Sequence, residues 1–406
     1  MSLFHHVKEH EEDTVYGLFE RARADTHPNK VDLSVGAYRD GEGKSVRQVK
    51  QRMAMDEDEL EEYLPLQGNQ KFAKEARDLL FLADDNRDRY EELSKRICSY
   101  HCVSATNALY CAMTLLKENV PFTKYAYASD PCWPTYWRLS ANSGLQFGKY
   151  PYFSSVEEGI NIEGMLDALR SYEKGSVIIL QASCHNPTGF DPTPEQWERI
   201  RDVIIEAELI PLIDIAYQGL GSGGVKHDSL ALRIFLEKEM DFFVAQSFSK
   251  NMRLYSARVG VLHCVCKSDY IQNQHILMRS LGLIGRGRFG SATRHGSEIA
   301  YQLLSDPTLY KMWMEELKEM AQRITDVRKE LRRKLEEKKV RGKWDHLTRQ
   351  VGMFAFLGIS EEEVKKLQDE YHIYMSREAR ISVAALNPSN IDYFVESLLA
   401  VRGEGQ

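Results

Sequence analysis

The chain has 406 residues, 43% apolar and 28% charged, an ordinary globular composition with room for two or three structural units. Its formal net charge of -7, without a basic block, argues against nucleic acid or an anionic membrane as the main partner. No apolar run approaches the roughly 18 residues of a spanning helix, and the acidic residues Glu9 to Asp13 follow an opening without a leader pattern, so a cytoplasmic setting is expected.

In chain order, Asp13 to Asp25 is expected to form a short amphipathic helix with Val15, Leu18 and Phe19 on one side. Val31 to Gly36 alternates like a strand, Asp56 to Glu62 is an acidic solvated run, and Gln70 to Leu82 has helical period. From Ile97 the pattern becomes regular. Ile97 to Val103 reads as a strand, Ser104 to Asn107 as a turn, Ala108 to Lys117 as a helix and Lys124 to Ser129 as a strand. Val177 to Ala182 is a strand, Pro194 to Glu208 a helix, and Ile210 to Ile213 a strand ending at Asp214. Phe242 to Gln246 and Val259 to Val265 are two more buried strands, with Lys250 in the stretch between them.

Strands separated by helices over this length indicate an α/β fold with a mainly parallel mixed sheet flanked by helices. Asp306 to Lys339 reads as one long charged helix, better suited to spacing two domains than to a core. Beyond it, His346 to Gly358 and Ile381 to Ala384 read as strands, and Glu361 to Glu370 and Ile391 to Val401 as helices. The expected organisation is a large domain over 40–310 and a smaller α+β domain made of 1–39 and 311–406. The seven cysteines are scattered without a Cys-x-x-Cys pair, so reduced thiols and no metal site are expected.

Polar residues recur at strand C-terminal ends: Ser104, Trp133, Asn186, Asp214 and Ser247. Ligands of open α/β sheets sit off those ends. Each residue also has a plain structural reading: Ser104 as an N-cap, Asp214 in a salt bridge, Trp133 in the core, Asn186 to Gly189 as a turn, and Lys250 as a loop lysine. Together they suit a flat, phosphorylated aromatic aldehyde with a protonatable ring nitrogen. Pyridoxal phosphate meets those demands. A nicotinamide enzyme would need Gly-x-Gly-x-x-Gly after an early strand, where none occurs.

His185-Asn186-Pro187-Thr188-Gly189, Asp214-Ile215-Ala216-Tyr217-Gln218-Gly219 and Ser247-Phe248-Ser249-Lys250-Asn251, in this order, make the chain resemble the aspartate aminotransferases of pyridoxal-phosphate fold type I. The resemblance runs from Val31 to Arg380. It implies that Lys250 carries the cofactor covalently and moves the substrate proton, and that Asp214 keeps the ring nitrogen protonated. It implies that Tyr217 and Asn186 hydrogen-bond the ring hydroxyl oxygen and that Trp133 stacks on the ring. Ser104, Ala105, Thr106, Ser247 and Arg258 would bind phosphate, joined by Tyr63 from the second subunit of a homodimer. Arg380 and Asn186 would contact the substrate α-carboxylate end, Gly36 would lie on a covering segment, and Arg286 would pair with the distal carboxylate of aspartate or glutamate.

Three departures stand out against that family. Ala105 replaces a usual glycine, Tyr136 replaces a histidine behind Asp214, and Gly290-Ser291-Ala292-Thr293 replaces a Ser-Asn-Pro-Pro run. The last leaves Arg288 as a competitor to Arg286, and an aromatic or broad-range aminotransferase as the alternative to an aspartate:2-oxoglutarate enzyme.

Overall fold

The computed structural model describes residues 18, 21–22, 24–34, 41, 63–154 and 159–405. Gly36, the acidic run Asp56 to Glu62 and most of the helix expected over Asp13 to Asp25 lie outside these residues.

In chain order the elements begin with β1 (Val31–Asp32), α1 (Gln70–Phe81), α2 (Tyr90–Lys95), β2 (Ile97–Cys102), α3 (Ala105–Asn119) and β3 (Tyr125–Asp130). There follow α4 (Thr135–Asn142), β4 (Gln146–Pro151), the hairpin of β5 (Phe153–Ser154) and β6 (Gly159–Ile160), α5 (Ile162–Ser171), β7 (Val177–Gln181) and α6 (Pro194–Glu206). Next come β8 (Ile210–Ile215), α7 (Val225–Asp228), α8 (Leu230–Leu236), β9 (Phe242–Ser247), β10 (Gly260–Val265), α9 (Gln274–Phe289) and α10 (Arg294–Ser305). The rest is α11 (Pro307–Glu337), α12 (His346–Arg349), β11 (Phe354–Phe356), α13 (Glu361–Tyr371), β12 (Ile373–Tyr374), β13 (Arg380–Ser382) and α14 (Ile391–Arg402).

The chain divides into two compact units, one of residues 46–325 with 350–353, the other of 1–45, 326–349 and 354–406. The larger unit holds a seven-stranded sheet in the order β2-β10-β9-β8-β7-β3-β4. Only β10 runs antiparallel to its neighbours. Strands β7, β8 and β9 are apolar runs buried on both faces, as a sheet covered by helices on each side requires. One face packs Leu166, Trp197, Ile200 and Phe235, and the other packs Leu109, Met113 and Tyr136.

Ser104 to Asn107 is not a free turn. Ser104 is the N-cap of α3, its Oγ accepting the Asn107 N–H at 3.2 Å, so the next residues form the first helical turn. The strand expected from His346 is also shorter. His346–Arg349 makes a helical turn before β11 starts at Phe354.

In the smaller unit β1 pairs in parallel with β12, and β11 pairs antiparallel with β13. Helix α11 is more than a solvated spacer. Trp313, Leu317, Met320, Ala321, Ile324, Arg328, Leu331 and Leu335 form a buried stripe at helical spacing along it. A count of large apolar side chains leaves gaps that Ala321 and the buried Arg328 fill. Arg328 is held by the carbonyl oxygens of Leu347 and Phe354.

Candidate active site

Strand register places the site. Gln181 is paired with Asp214 across β7 and β8, Asp214 with Ala245 across β8 and β9, and Ser247 with Gly260 across β9 and β10. Gly260 in turn faces Cys102, two residues before the α3 N-cap. A Cβ on Gly260 would lie 2.5 Å from the Ala105 nitrogen and 2.5 Å from the Ser104 carbonyl carbon. Glycine here lets the start of α3 rest directly on the end of the β9–β10 pair. The N–H groups of Ala105 and Thr106 precede the first intrahelical bond, from Ala108 N–H to Ser104 O at 2.9 Å. Such a helix start suits an anion.

Lys250 sits on the turn after β9. Its neighbour Asn251 is buried, and the Asn251 carbonyl accepts the Trp313 indole N–H at 3.0 Å. The Lys250 ammonium lies 5.0 Å from the centre of the Tyr217 ring. Burial pushes its pKa below the usual lysine range; Asp214 opposes that shift and Arg258 adds to it. A lowered amine pKa increases the neutral, nucleophilic fraction at a given pH.

Asp214 is 7% exposed, and burial raises its pKa to about 6 against the pull of Tyr136 and Lys250. The Tyr136 hydroxyl donates to Asp214 Oδ2 at 2.8 Å. Among the described residues, Asp214 Oδ1 has no hydrogen-bond partner. A buried carboxylate oxygen left open in this way fits a positively charged N–H of a bound ring. Trp133 meets Tyr136 edge to face, with centroids 5.3 Å apart, which ties it to the same cluster.

Asn186 is buried on the loop after β7. Gln181 Oε1 accepts its N–H at 2.9 Å, and Gln181 Nε2 donates to its carbonyl at 3.0 Å. Asp191 accepts the N–H groups of Cys184 and His185 at 2.6 and 2.8 Å. Burial lifts the Asp191 pKa to about 7 despite those two donors. His185 bonds Ser129 through Nε2 and Thr188 through Nδ1, both at 2.8 Å, and burial drops its pKa to about 3, so it is a neutral structural residue. After Tyr217, Asp228 collects the N–H groups of Gly219, Gly221 and Ser222 and the Ser222 hydroxyl at 2.6 to 3.2 Å.

Ser104, Ala105, Thr106, Trp133, Asn186, Asp214, Tyr217, Ser247, Lys250 and Arg258 all belong to the larger unit. Ser247 is buried, its Oγ accepting the Ser249 N–H at 3.2 Å, and Arg258 is exposed and donates to the Tyr255 carbonyl at 3.2 Å. Tyr63 is 91% exposed on that unit. Arg286 and Arg288 lie in the last turn of α9; Arg286 is exposed, and the Arg288 guanidinium stacks 4.7 Å from the centre of the Tyr110 ring. The Gly285-x-Gly287-x-x-Gly290 spacing falls at this helix end, so it is no dinucleotide loop. Arg380 is in the smaller unit, donating to the Ser34 carbonyl at 2.7 Å and packing 4.4 Å from the centre of the Phe354 ring.

With this lysine, carboxylate and helix start on one set of strand ends, comparison with known proteins is decisive. The pattern of the family described as "Aminotransferase class I and II" matches residues 28–398. The chain belongs to that family. It is 37% identical over 402 residues to the cytoplasmic aspartate aminotransferase of Schizosaccharomyces pombe, covering 97% of each chain. Among solved structures, the cytoplasmic aspartate aminotransferase of Saccharomyces cerevisiae superposes with a TM-score of 0.93 at 32% identity, with 98% of each chain covered. The aromatic-amino-acid aminotransferase of Burkholderia pseudomallei, covalently bound to pyridoxal phosphate, gives 0.90 at 31% identity, covering 99% of this chain and 100% of that one. The fold of this aminotransferase is therefore pyridoxal-phosphate fold type I. Among its described residues no helix is long and apolar enough to cross a membrane.

Reading the residues alone missed Gln181, Asp191 and Asp228. Gln181 did leave a signal, a polar residue closing the apolar run Val177 to Leu180. Asp191 and Asp228 left none, because their partners are mostly backbone N–H groups.

Proposed function

We propose that this aminotransferase uses pyridoxal 5'-phosphate to transfer an amino group reversibly between L-aspartate and 2-oxoglutarate, giving oxaloacetate and L-glutamate. The observation that carries the cofactor assignment is the open Asp214 Oδ1 in the same cluster as a desolvated Lys250. When bound, the cofactor supplies an electrophilic carbon and a ring that accepts the electron pair released at the substrate α-carbon.

Lys250 Nζ holds the cofactor covalently between turnovers and, once displaced, carries the proton to and from the substrate α-carbon. Asp214 Oδ1 retains a proton on the ring nitrogen, while Tyr136 keeps Oδ2 occupied. Tyr217 and Asn186 donate to the ring hydroxyl oxygen, and Trp133 covers a ring face. Ser104, the N–H of Ala105, Thr106, Ser247 and Arg258 take the phosphate, with Tyr63 contributed by a second copy of the chain in a homodimer. Arg380 and Asn186 receive the α-carboxylate, a planar two-oxygen group that suits a guanidinium fork. Gly36 is assigned to substrate binding.

Arg286 sets the preference for dicarboxylic substrates from across the dimer. The Arg288 guanidinium rests on the Tyr110 ring, which favours Arg286 for this contact. A cytoplasmic setting follows the naming of the Schizosaccharomyces pombe and Dictyostelium discoideum relatives. A second reading, an aromatic or broad-range aminotransferase, is favoured by similarity to solved aromatic and broad-specificity enzymes at about the same level.

A substrate panel separates the two. Aspartate should exceed phenylalanine in kcat/KM, Arg286→Ala should lower the aspartate value by about 100-fold or more, as expected for an unpaired buried carboxylate, and Arg288→Ala should leave it within a few-fold. A wild-type preference for phenylalanine would establish the second reading. A loss that follows Arg288 instead would move the distal carboxylate contact to that residue.

A further inference from the structure

We propose that Gln181 is a positioning residue of the active site, its carboxamide clasping both backbone groups of Asn186 and thereby aiming the Asn186 side chain. The proposal rests on Asn186 acting as a donor to the cofactor ring, as given above.

Gln181 is the last residue of β7 and is 8% exposed. It accepts the Asn186 N–H at 2.9 Å and donates to the Asn186 carbonyl at 3.0 Å. Two parallel bonds to one residue fix its rotation as well as its location, where a single bond would leave a hinge. The anchor itself is rigid, because Gln181 pairs with Asp214 in the β7–β8 ladder and the next N–H, of Ala182, bonds the Asp214 carbonyl at 2.9 Å. Gln181 therefore couples the positions of Asn186, through its side chain, and Asp214, through the backbone ladder, the two residues assigned to the ring hydroxyl and the ring nitrogen.

The rest of the loop is tied elsewhere. Asp191 holds the N–H groups of Cys184 and His185, and the Gly189 N–H returns to the His185 carbonyl at 2.7 Å. None of these bonds the Asn186 backbone, whose N–H and carbonyl are both taken by Gln181. A carboxamide has no proton to gain or lose in the working pH range, so the clasp holds at any pH at which the protein is folded.

The test uses the full-length holoenzyme and three variants: Gln181→Met, Asn186→Ala and the double variant. Methionine preserves length and approximate volume while removing both bonds. Gln181→Glu, which keeps the acceptor for the Asn186 N–H, serves as a fourth should Gln181→Met fold poorly. The readouts are the pH midpoint of the visible absorbance of bound pyridoxal 5'-phosphate, the cofactor's dissociation constant and kcat.

In Gln181→Met the midpoint should shift in the same direction as in Asn186→Ala. The dissociation constant should rise about three- to tenfold, the size of one or two net hydrogen bonds. The double variant should add little to Asn186→Ala alone, since both act through one contact. Gln181→Glu should fall between wild type and Gln181→Met. An unmoved midpoint in a folded Gln181→Met or Gln181→Glu protein, or full additivity in the double variant, would overturn the proposal and reduce Gln181 to a stability residue. If Asn186→Ala itself leaves the midpoint unmoved, the assignment of Asn186 fails first and takes this proposal with it.

Discussion

The hydroxyl of Tyr136 donates to Oδ2 of Asp214 at 2.8 Å inside the protein, which leaves Oδ1 as the one open acceptor of that carboxylate. This phenol is held far from ionisation first by burial and then by Asp214 itself. Tyr136→Phe removes the donor and should push the Asp214 pKa further up. Charge-assisted hydrogen bonds of this kind contribute about 1.5–3 kcal/mol. The dissociation constant for pyridoxal 5'-phosphate should therefore rise roughly 10- to 100-fold, measured by titrating the cofactor-free protein. Wild-type affinity in the variant would show that the phenol does not support the carboxylate.

The raised Asp214 pKa also makes a prediction for stability without cofactor. A carboxyl with a folded pKa near 6 and an unfolded value near 3.8 binds more protons in the folded state between those limits. Stability conferred through this group is thus greatest at low pH and falls as pH rises through that window. The cofactor-free Asp214→Asn protein should be more stable than cofactor-free wild type at pH 7.5, by an amount on the order of 2–3 kcal/mol. The gap should close by about pH 4, where both are neutral. Urea unfolding at a series of pH values would check it; a gap that is independent of pH would contradict the assignment.

Gly260 is expected to tolerate no side chain. The three atoms nearest its added Cβ are all backbone, at 2.5 Å for Ala105 N and Ser104 C and 2.9 Å for Gln246 O, so no side-chain rotation can relieve the clash. Gly260→Ala should displace the start of α3 from β9, costing about 1–3 kcal/mol of stability as overpacking does. It should weaken binding of inorganic phosphate and of pyridoxal 5'-phosphate in parallel. Thermal unfolding and phosphate competition would measure both, and an unchanged phosphate affinity would mean that the helix start is not the anion site.

Asp228 gathers three backbone N–H groups and a hydroxyl on the loop that follows Tyr217. Asp228→Ala would leave those donors without their acceptor, with a cost of several kcal/mol. A large fall in melting temperature and a fall in kcat should appear together, because the same loop carries the Tyr217 ring beside Lys250. Asp228→Asn, which retains an acceptor oxygen, should lie between the two. A stable variant of normal kcat would show that the loop holds itself.

Much of the site was legible in the linear chain because its chemistry is carried by motifs that end strands. The runs before Asn186, Asp214 and Ser247 are short, apolar and bounded by polar residues, so strand identity and the polar end were both visible. Two boundaries were not. Ser104 reads both as turn composition and as a helix N-cap, and the bond from Asn107 N–H to its Oγ decides for the cap, with the helix starting one residue later. The stripe along α11 depends on Ala321 and a buried Arg328, residue types whose location inside the protein cannot be inferred from hydrophobicity.

By itself, then, the sequence determined most strands of the central sheet though not β4, that they run mainly parallel, and that a lysine, an aspartate and a phosphate-suited helix start lie at strand ends. Those properties follow from periodicity and composition, which act over a few residues at a time. Tertiary structure alone decided which neighbour serves which group. That Tyr136 reaches Asp214 across 78 residues of chain, that Gln181 clasps Asn186, and that Gly260 seats α3 against β9 depend on side-chain direction and sub-ångström clearance between elements distant in the chain. The carboxylate was readable early. Its open oxygen, the feature on which the cofactor assignment rests, became visible only when the packing around it was complete.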